Sequence, residues 1–315
     1  MQLCVNSPLG YYARQIFGEL IGSWIVHELE MTSWQGRWQL VELGPGSGEL
    51  IIDVLTVLGS VEVYLVESSE RLMERQTQIL NSRFGGDLVR IRWYDSLDDV
   101  PQGFSVFVAN EFLDALPLHL FVRDEANPKK WCEQYVTLDR TDEQRLCFML
   151  SAGENIHTKA WIPQRIREDE SRTKWEFCPQ AHYIVRQMVE RQTLLRNKFP
   201  IDITADVDFG ELSMALRDEC LVFGPVEQRE FLGSIGLHHR LNYLLNKSKT
   251  KEERVGLLEA CRMLIADDQM GSRFKALGLF PNALADFLQA RGGAPDGFAR
   301  SGGNCENVSD GPTER

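Results

Sequence analysis

The sequence predicts an α/β fold built on a parallel, doubly wound, Rossmann-like sheet, and three observations predict it. From Trp38 onward, apolar strand-like runs alternate with helical ones in the order β-α-β-α-β, which requires crossover connections and therefore parallel strands. The first strand runs into a glycine-rich turn, LVELGPGSGEL from Leu40 to Leu50, with glycines at 44, 46 and 48. Polar residues then fall at the carboxyl ends of successive strands: Glu42, Glu67 and Asn110. Open α/β sheets hold their ligands on that side.

Taken in order, Phe17, Leu20, Ile21, Trp24 and Ile25 recur at helical spacing, so an amphipathic helix is expected over Arg14 to Glu30. Trp38 to Leu43 is the first strand, Glu49 to Leu58 a helix, and Val61 to Val66 the second strand. A helix over Ser69 to Asn81, a strand over Leu88 to Trp93 and a buried strand over Phe104 to Ala109 follow. After Phe121 the rhythm breaks into a charged turn, Asp124 to Lys130, and an inserted hairpin of strands Trp131 to Leu138 and Leu146 to Leu150. The charged stretch Pro163 to Glu176 reads as a solvated loop. A helix over Gln180 to Asn197 leads to a strand-like or turn segment at Ile203 to Phe209 and a strand at Leu221 to Val226. Helical segments are expected near Gln228 to Ile235, Arg240 to Leu245, Glu252 to Ala266 and Gln269 to Leu277. The last 25 residues are rich in Gly, Asp and Asn without apolar period, and are expected to be disordered. The expected organisation is a helical segment (1–36), a ligand-binding half-domain (37–122), the insert (123–176), the rest of the main domain (177–290) and a tail (291–315).

With 315 residues, 43% of them apolar, the chain can bury a full core. A net charge of −12 argues against nucleic acid as a partner, since phosphate contacts need clustered Lys and Arg, and favours a basic peptide or a small molecule. The seven cysteines are scattered with no C-x-x-C pair, which suggests buried thiols in a reducing compartment. No run of eighteen apolar residues marks a membrane span. The first thirty residues carry Arg14 against Glu19, Glu28 and Glu30, which is neither a secretory signal nor an Arg-rich transit peptide. Nothing here indicates an oligomeric state.

The glycine spacing is G-x-G-x-G; the dinucleotide fingerprint would place its third glycine where Glu49 stands. A carboxylate there repels a pyrophosphate, so a nucleoside without phosphates, such as S-adenosylmethionine, fits better than a nicotinamide dinucleotide. Glu67 lies 21 residues after Gly46, the distance at which this architecture sets an acid on the ribose hydroxyls. Glu42 is a charge inside an apolar strand end and must find a partner: the methionine ammonium, or a loop backbone. Asp95 and Trp93 could meet adenine as acceptor and stacking face, or form a surface turn. Asn110, Glu111 and Asp114 bring polar groups to the same rim, where carboxylates can grip an amine or guanidinium and take its proton; the same N-E-x-x-D pattern also caps helices. His119 reads as structural or as acting through a neighbour. His238 and His239 lack the spaced partners of a metal site, and no metal is expected.

Six segments together, LVELGPGSGEL, YLVESSERL, VFVANEFLDALPLHLF, TADVDF, GPVEQREFLGSIG and MGSRFKALGLFP, resemble the MidA-like family in order from about Gln15 to Pro281. The family's mitochondrial member is a protein arginine methyltransferase that serves as an assembly factor of respiratory complex I. The resemblance implies a class I S-adenosylmethionine-dependent methyltransferase fold and symmetric dimethylation of an arginine on a complex I core subunit in the mitochondrial matrix. By position, it implies that Glu42, Gly44, Gly46 and Gly48 form the cofactor loop and that Glu67 binds ribose. Asn110, Glu111 and Asp114 would form the acceptor rim.

Two departures stand beside the matches. MQLCVNSPLGYYARQIF replaces a family segment of the type G-D-F-x-T-S-P-E, with only Ser7 and Pro8 in common, so a closing lid is expected to be missing. From Arg191 to Ile203 the chain passes through QTLLRNKFPID alone, where the family has a further hydrophobic strand. One interior strand is therefore expected to be lacking, as in a shortened isoform or incomplete version of the family's chain. Two functions follow: an arginine methyltransferase, or a catalytically impaired binding or assembly protein.

Overall fold

The computed structural model describes residues 8–32, 34–85, 90–139, 145–194, 201–204 and 209–298. They form two compact units, Met1–Asp114 with Arg186–Arg315, and Ala115–Val185. The second unit is wider at both ends than the insert expected at 123–176.

Strands β1 (Gln39–Leu43), β2 (Glu62–Val66), β3 (Arg90–Tyr94) and β4 (Ser105–Asn110) belong to the first unit. The second unit holds β5 (His119–Arg123), β6 (Trp131–Leu138), β7 (Leu146–Leu150) and β8 (Lys174–Phe177). The chain then returns to the first unit with β9 (Ile201–Thr204), β10 (Leu221–Glu227) and β11 (Lys275–Phe280). The first sheet has seven strands in the order β10-β11-β9-β4-β1-β2-β3. β1 pairs in parallel with β2 and β4, as do β2 with β3 and β4 with β9, while β11 runs antiparallel to β9 and β10. Every residue of β1 is buried, as expected of a central strand covered on both faces.

The interior strand expected to be lacking is present. Ile201–Thr204 fills the place beside β4, pairing with it on one side and with β11 on the other. Without these four residues, two central strands would each expose a row of unpaired backbone groups. The strand begins two residues before the strand-like or turn segment expected at Ile203 to Phe209, of which 205–208 lie outside the described residues. A second correction concerns Gln269 to Leu277, read as helical. Lys275–Phe280 is instead a strand with five of six residues buried, and a short continuous apolar run does not distinguish the two states.

The N-terminal helix, Pro8–Met31, is longer than expected and buries Ile16, Leu20, Ile21, Trp24 and Ile25 against helices Glu49–Leu58 and Lys251–Ile265. Gly18 permits the close approach: a Cβ there would lie 2.6 Å from the Cβ of Asp53. Helix Lys251–Ile265 starts in a capping box between Thr250 and Glu253. Part of the tail expected to be disordered is ordered: Arg291 pairs with buried Glu28, the Trp24 indole donates to the Asp296 carbonyl at 2.9 Å, and Phe298 packs on Phe231. Residues 299–315 lie outside the described residues.

In the second unit the two strands of the expected hairpin, β6 and β7, belong to a four-stranded antiparallel sheet of order β7-β6-β5-β8. The stretch read as a solvated loop contains helix Gln164–Glu168 and β8, whose Trp175 is buried with Phe121, Trp131, Ile162 and Ile166. One tryptophan and one isoleucine in a charged run are enough to anchor it, because each buries a large apolar surface. Among the described cysteines, Cys132, Cys220 and Cys261 are buried as thiols, while Cys147 and Cys178 are half-buried. No helix among the described residues is long and apolar enough to cross a membrane.

Candidate active site

Register places the sequence-predicted residues. Glu42 lies opposite Leu65 on β2 and Val108 on β4, and Leu65 lies opposite Trp93 on β3. Two residues further along each strand, Asp95, Glu67, Gly44 and Asn110 therefore stand level in one row across the carboxyl rim. The ladder continues into that row, with the Gly44 amide donating to Val66 at 3.0 Å and the Glu67 amide to Tyr94 at 2.9 Å.

Gly44, Gly46 and Gly48 all have left-handed φ, at 64°, 54° and 79°. A side chain at any of them would be strained. Gly44 has a second constraint, because a Cβ would come 2.5 Å from the ring of Phe112. That contact brings the Asn110 to Asp114 segment against the glycine turn. A Cβ on Gly46 would meet nothing within 4 Å, so this backbone passes beneath open space.

Gln76, on helix Glu70–Phe84, ties the turn together and was not foreseen from the sequence. It is fully buried, and its Nε2 donates to the Gly46 carbonyl at 2.8 Å and to Glu67 Oε2 at 3.4 Å. Its Oε1 accepts from the Trp93 indole at 2.7 Å. The other Glu67 oxygen accepts from the Ser69 amide at 3.0 Å. A single glutamine on an exposed-looking helix leaves no signal in sequence. Trp93 is thus committed through its N–H to Gln76, and Asp95 is exposed at the following turn.

Glu42 is buried, and its Oε2 has no hydrogen-bond partner. Burial pushes its carboxyl up to about 8. An orphaned acid beneath an open glycine turn suits a cationic ligand group, which would restore the charge its burial suppresses. Glu111 adopts φ 48°, the one positive φ outside glycine among the described residues. Burial, and then the charge of Asp114, raise its proton affinity. Asp114 itself is exposed. Glu49, at the start of its helix, pairs with Arg14, which mutes the repulsion expected of a bare carboxylate there.

His119 lies in the second unit, where its Nδ1 bonds Glu133 Oε1 at 2.6 Å. His157 and Glu133, which complete that cluster, were not singled out from the sequence. They stand 24 residues apart on different elements, a spacing that matches no ligand motif.

This strand order, with β11 reversed, and a three-glycine turn followed by acids on the carboxyl rim define an S-adenosylmethionine-dependent methyltransferase of class I. The family model described as S-adenosyl-L-methionine-dependent methyltransferase matches residues 20–194. In Caenorhabditis elegans, "Protein arginine methyltransferase NDUFAF7 homolog, mitochondrial" is 40% identical over 380 positions, covering 98% of this chain and 87% of that protein. The Homo sapiens protein arginine methyltransferase NDUFAF7, mitochondrial, is 33% identical over 324 positions, covering 85% and 72%. The chain belongs to this family, the MidA-like methyltransferases. The crystal structure of a COG1565 superfamily member from Burkholderia thailandensis bound to S-adenosylhomocysteine superposes with a TM-score of 0.71 at 20% identity, over 91% of this chain and 79% of that one. At that identity the likeness carries the fold.

Proposed function

We propose that this chain is a mitochondrial protein arginine N-methyltransferase that symmetrically dimethylates an arginine of a complex I core subunit in the matrix. The level row of Asp95, Glu67, Gly44 and Asn110 carries the reading, because it gathers cofactor groups and acceptor groups on one rim. The names of the relatives support arginine as the acceptor, and the family resemblance supports the complex I substrate. The net charge of −12 suits a basic protein segment.

In this reading Gly44, Gly46 and Gly48 give the cofactor room, Glu67 accepts from its ribose hydroxyls, and Asp95 stands on the adenine side. Glu42 pairs with the methionine ammonium. Bound S-adenosylmethionine supplies a sulfonium methyl group. Asn110 and Asp114 hold the guanidinium, and Glu111 orients the reacting nitrogen and takes its proton. The raised proton affinity of Glu111 suits that last role. Positioning and exclusion of water would provide most of the rate.

A second reading rests on length. An alignment of 380 positions against 315 residues requires at least 65 positions present in the worm relative and absent here. On that ground the chain could bind the cofactor and a partner without turnover. Transfer of radiolabelled methyl groups to an arginine peptide decides between them. Label on the peptide, lost in Glu111→Gln while cofactor binding persists, is expected; cofactor binding by wild type with no transfer overturns the enzymatic reading.

A further inference from the structure

We propose that the second unit carries a binding site for a divalent transition ion, of which zinc fits best, formed by His119, Glu133 and His157. The three residues come from β5, β6 and helix Ile156–Trp161, and their ligand atoms all lie within 4.8 Å of one another. Glu133 Oε1 is 2.6 Å from His119 Nδ1, and Glu133 Oε2 is 2.9 Å from His157 Nδ1. Tetrahedral zinc, with bonds of about 2.0–2.1 Å, holds its ligand atoms roughly 3.3 Å apart. To reach that separation the His119 contact must lengthen by about 0.7 Å and the His157 contact by about 0.4 Å, within reach of small rotations of the side chains. Two imidazoles and one carboxylate form a donor set that favours zinc over magnesium or calcium, which take oxygen.

The surroundings fix the ligands as a metal site requires. Tyr135 Oη and Asn155 Nδ2 donate to Glu133 Oε2 at 2.6 and 2.5 Å. The Glu133 amide donates to Ser151 Oγ at 3.0 Å, which sets the strand position of the acid. Asn155 also forms a capping box with Thr158, so the start of the helix bearing His157 is fixed by the same residue that orients the carboxylate. The Trp161 ring lies against both imidazoles, with centroids 4.4 Å from His119 and 4.5 Å from His157. Glu133 is 2% exposed, but the His119 and His157 side chains are 28% and 37% exposed, which leaves a path for an ion and a coordination position for water.

No cation of the protein competes there: among the described residues the ion pairs of Glu133 are with these two histidines. A second cluster, His27, Glu28 and Asp296, has similar spacing but different chemistry. There Arg291 already bonds both carboxylates, so a guanidinium holds the place an ion would take. Without an ion, an imidazole can donate Nδ1–H to Glu133. Binding requires each ring to carry its proton on Nε2 and turn the Nδ1 lone pair to the metal. Held this way, β5, β6 and the helix would be stapled at one point.

The test uses the full chain, without an affinity tag, stripped by a chelator and titrated with Co²⁺ and then Zn²⁺. One equivalent of Co²⁺ with visible ligand-field bands of a four- or five-coordinate site, displaced by one equivalent of Zn²⁺, is expected. His119→Ala and His157→Ala, checked for folding by circular dichroism, are expected to weaken binding roughly tenfold or more each. Absence of stoichiometric binding by wild type overturns the proposal, as does binding that persists with unchanged bands in the folded double variant.

Discussion

Replacing Glu42 with glutamine removes one buried ionisable group and leaves the shape of β1 nearly unchanged. The wild-type carboxyl is pushed by burial from 4.5 to about 8. Between those values the folded protein holds a proton that the unfolded chain releases, so stability falls as pH rises. The contribution is fully present below 4.5 and lost as pH passes through about 8. At about 1.4 kcal/mol for each tenfold change in proton affinity, the loss amounts to at most roughly 5 kcal/mol. Asp53 acts in the same direction, its carboxyl raised to about 7 by burial and then by Glu19, so wild type alone does not isolate Glu42. The difference between the two chains does. Urea unfolding of the cofactor-free proteins, followed by circular dichroism across this range, should show similar stabilities at low pH and a growing advantage for Glu42→Gln as pH rises. Parallel curves refute the reasoning. S-adenosylmethionine titrated at the upper end of the range adds a second readout. If the acid pairs with the ammonium, losing a charged hydrogen bond of about 1.5–3 kcal/mol weakens binding roughly 10- to 100-fold in the variant. Equal affinities there refute the pairing of Glu42 with the ammonium.

The glycine turn and its support can be tested separately. Gly46→Val places a branched Cβ at φ 54° where nothing lies within 4 Å, so the protein should still fold at a cost of about 1–3 kcal/mol while calorimetric binding of S-adenosylmethionine disappears. Retained affinity in the folded variant sinks the cofactor assignment. Gln76→Leu strands the Trp93 indole N–H and the Gly46 carbonyl, and should lower stability by about 1–3 kcal/mol and cofactor affinity about tenfold. Wild-type affinity in this variant would mean that Gln76 supports the fold but does not shape the turn.

Much of this rim was legible because a parallel sheet converts sequence into position. Apolar runs such as LVEL and VFVAN are strands covered on both faces, and a polar residue just past each one has only the carboxyl rim to occupy. Glu67 and Asn110 could therefore be placed before any geometry was known. The limits of prediction are equally physical. KALGLF is a continuous apolar run that fits a helix or a buried strand, and only its pairing with β9 and β10 decides between them. Trp175 sits in a run dominated by charges, yet buries with Trp131, and composition averages such an anchor away. Gln76 acts through three hydrogen bonds to residues distant in sequence, and Glu133 through bonds to two histidines on other elements. No local pattern encodes either.

The length of the chain bears on function through β9. Relative to the worm protein at least 65 positions are absent, yet the sheet is continuous, because Ile201–Thr204 makes four pairs with β4 and four with β11. The backbone groups of two central strands have to be satisfied, and a four-residue strand occupies the interior place between them. Register also makes this strand part of the rim: Asn110 on β4 lies opposite Thr204, so the row of Asp95, Glu67, Gly44 and Asn110 gains a fifth member. Loss of chain that left β4 at an open edge would release Asn110 and Glu111 from a fixed neighbour. Because the pairing is retained, β4 keeps a paired neighbour on either side, so the rim proposed to hold the acceptor has the same kind of backbone support as the rim proposed to hold the cofactor.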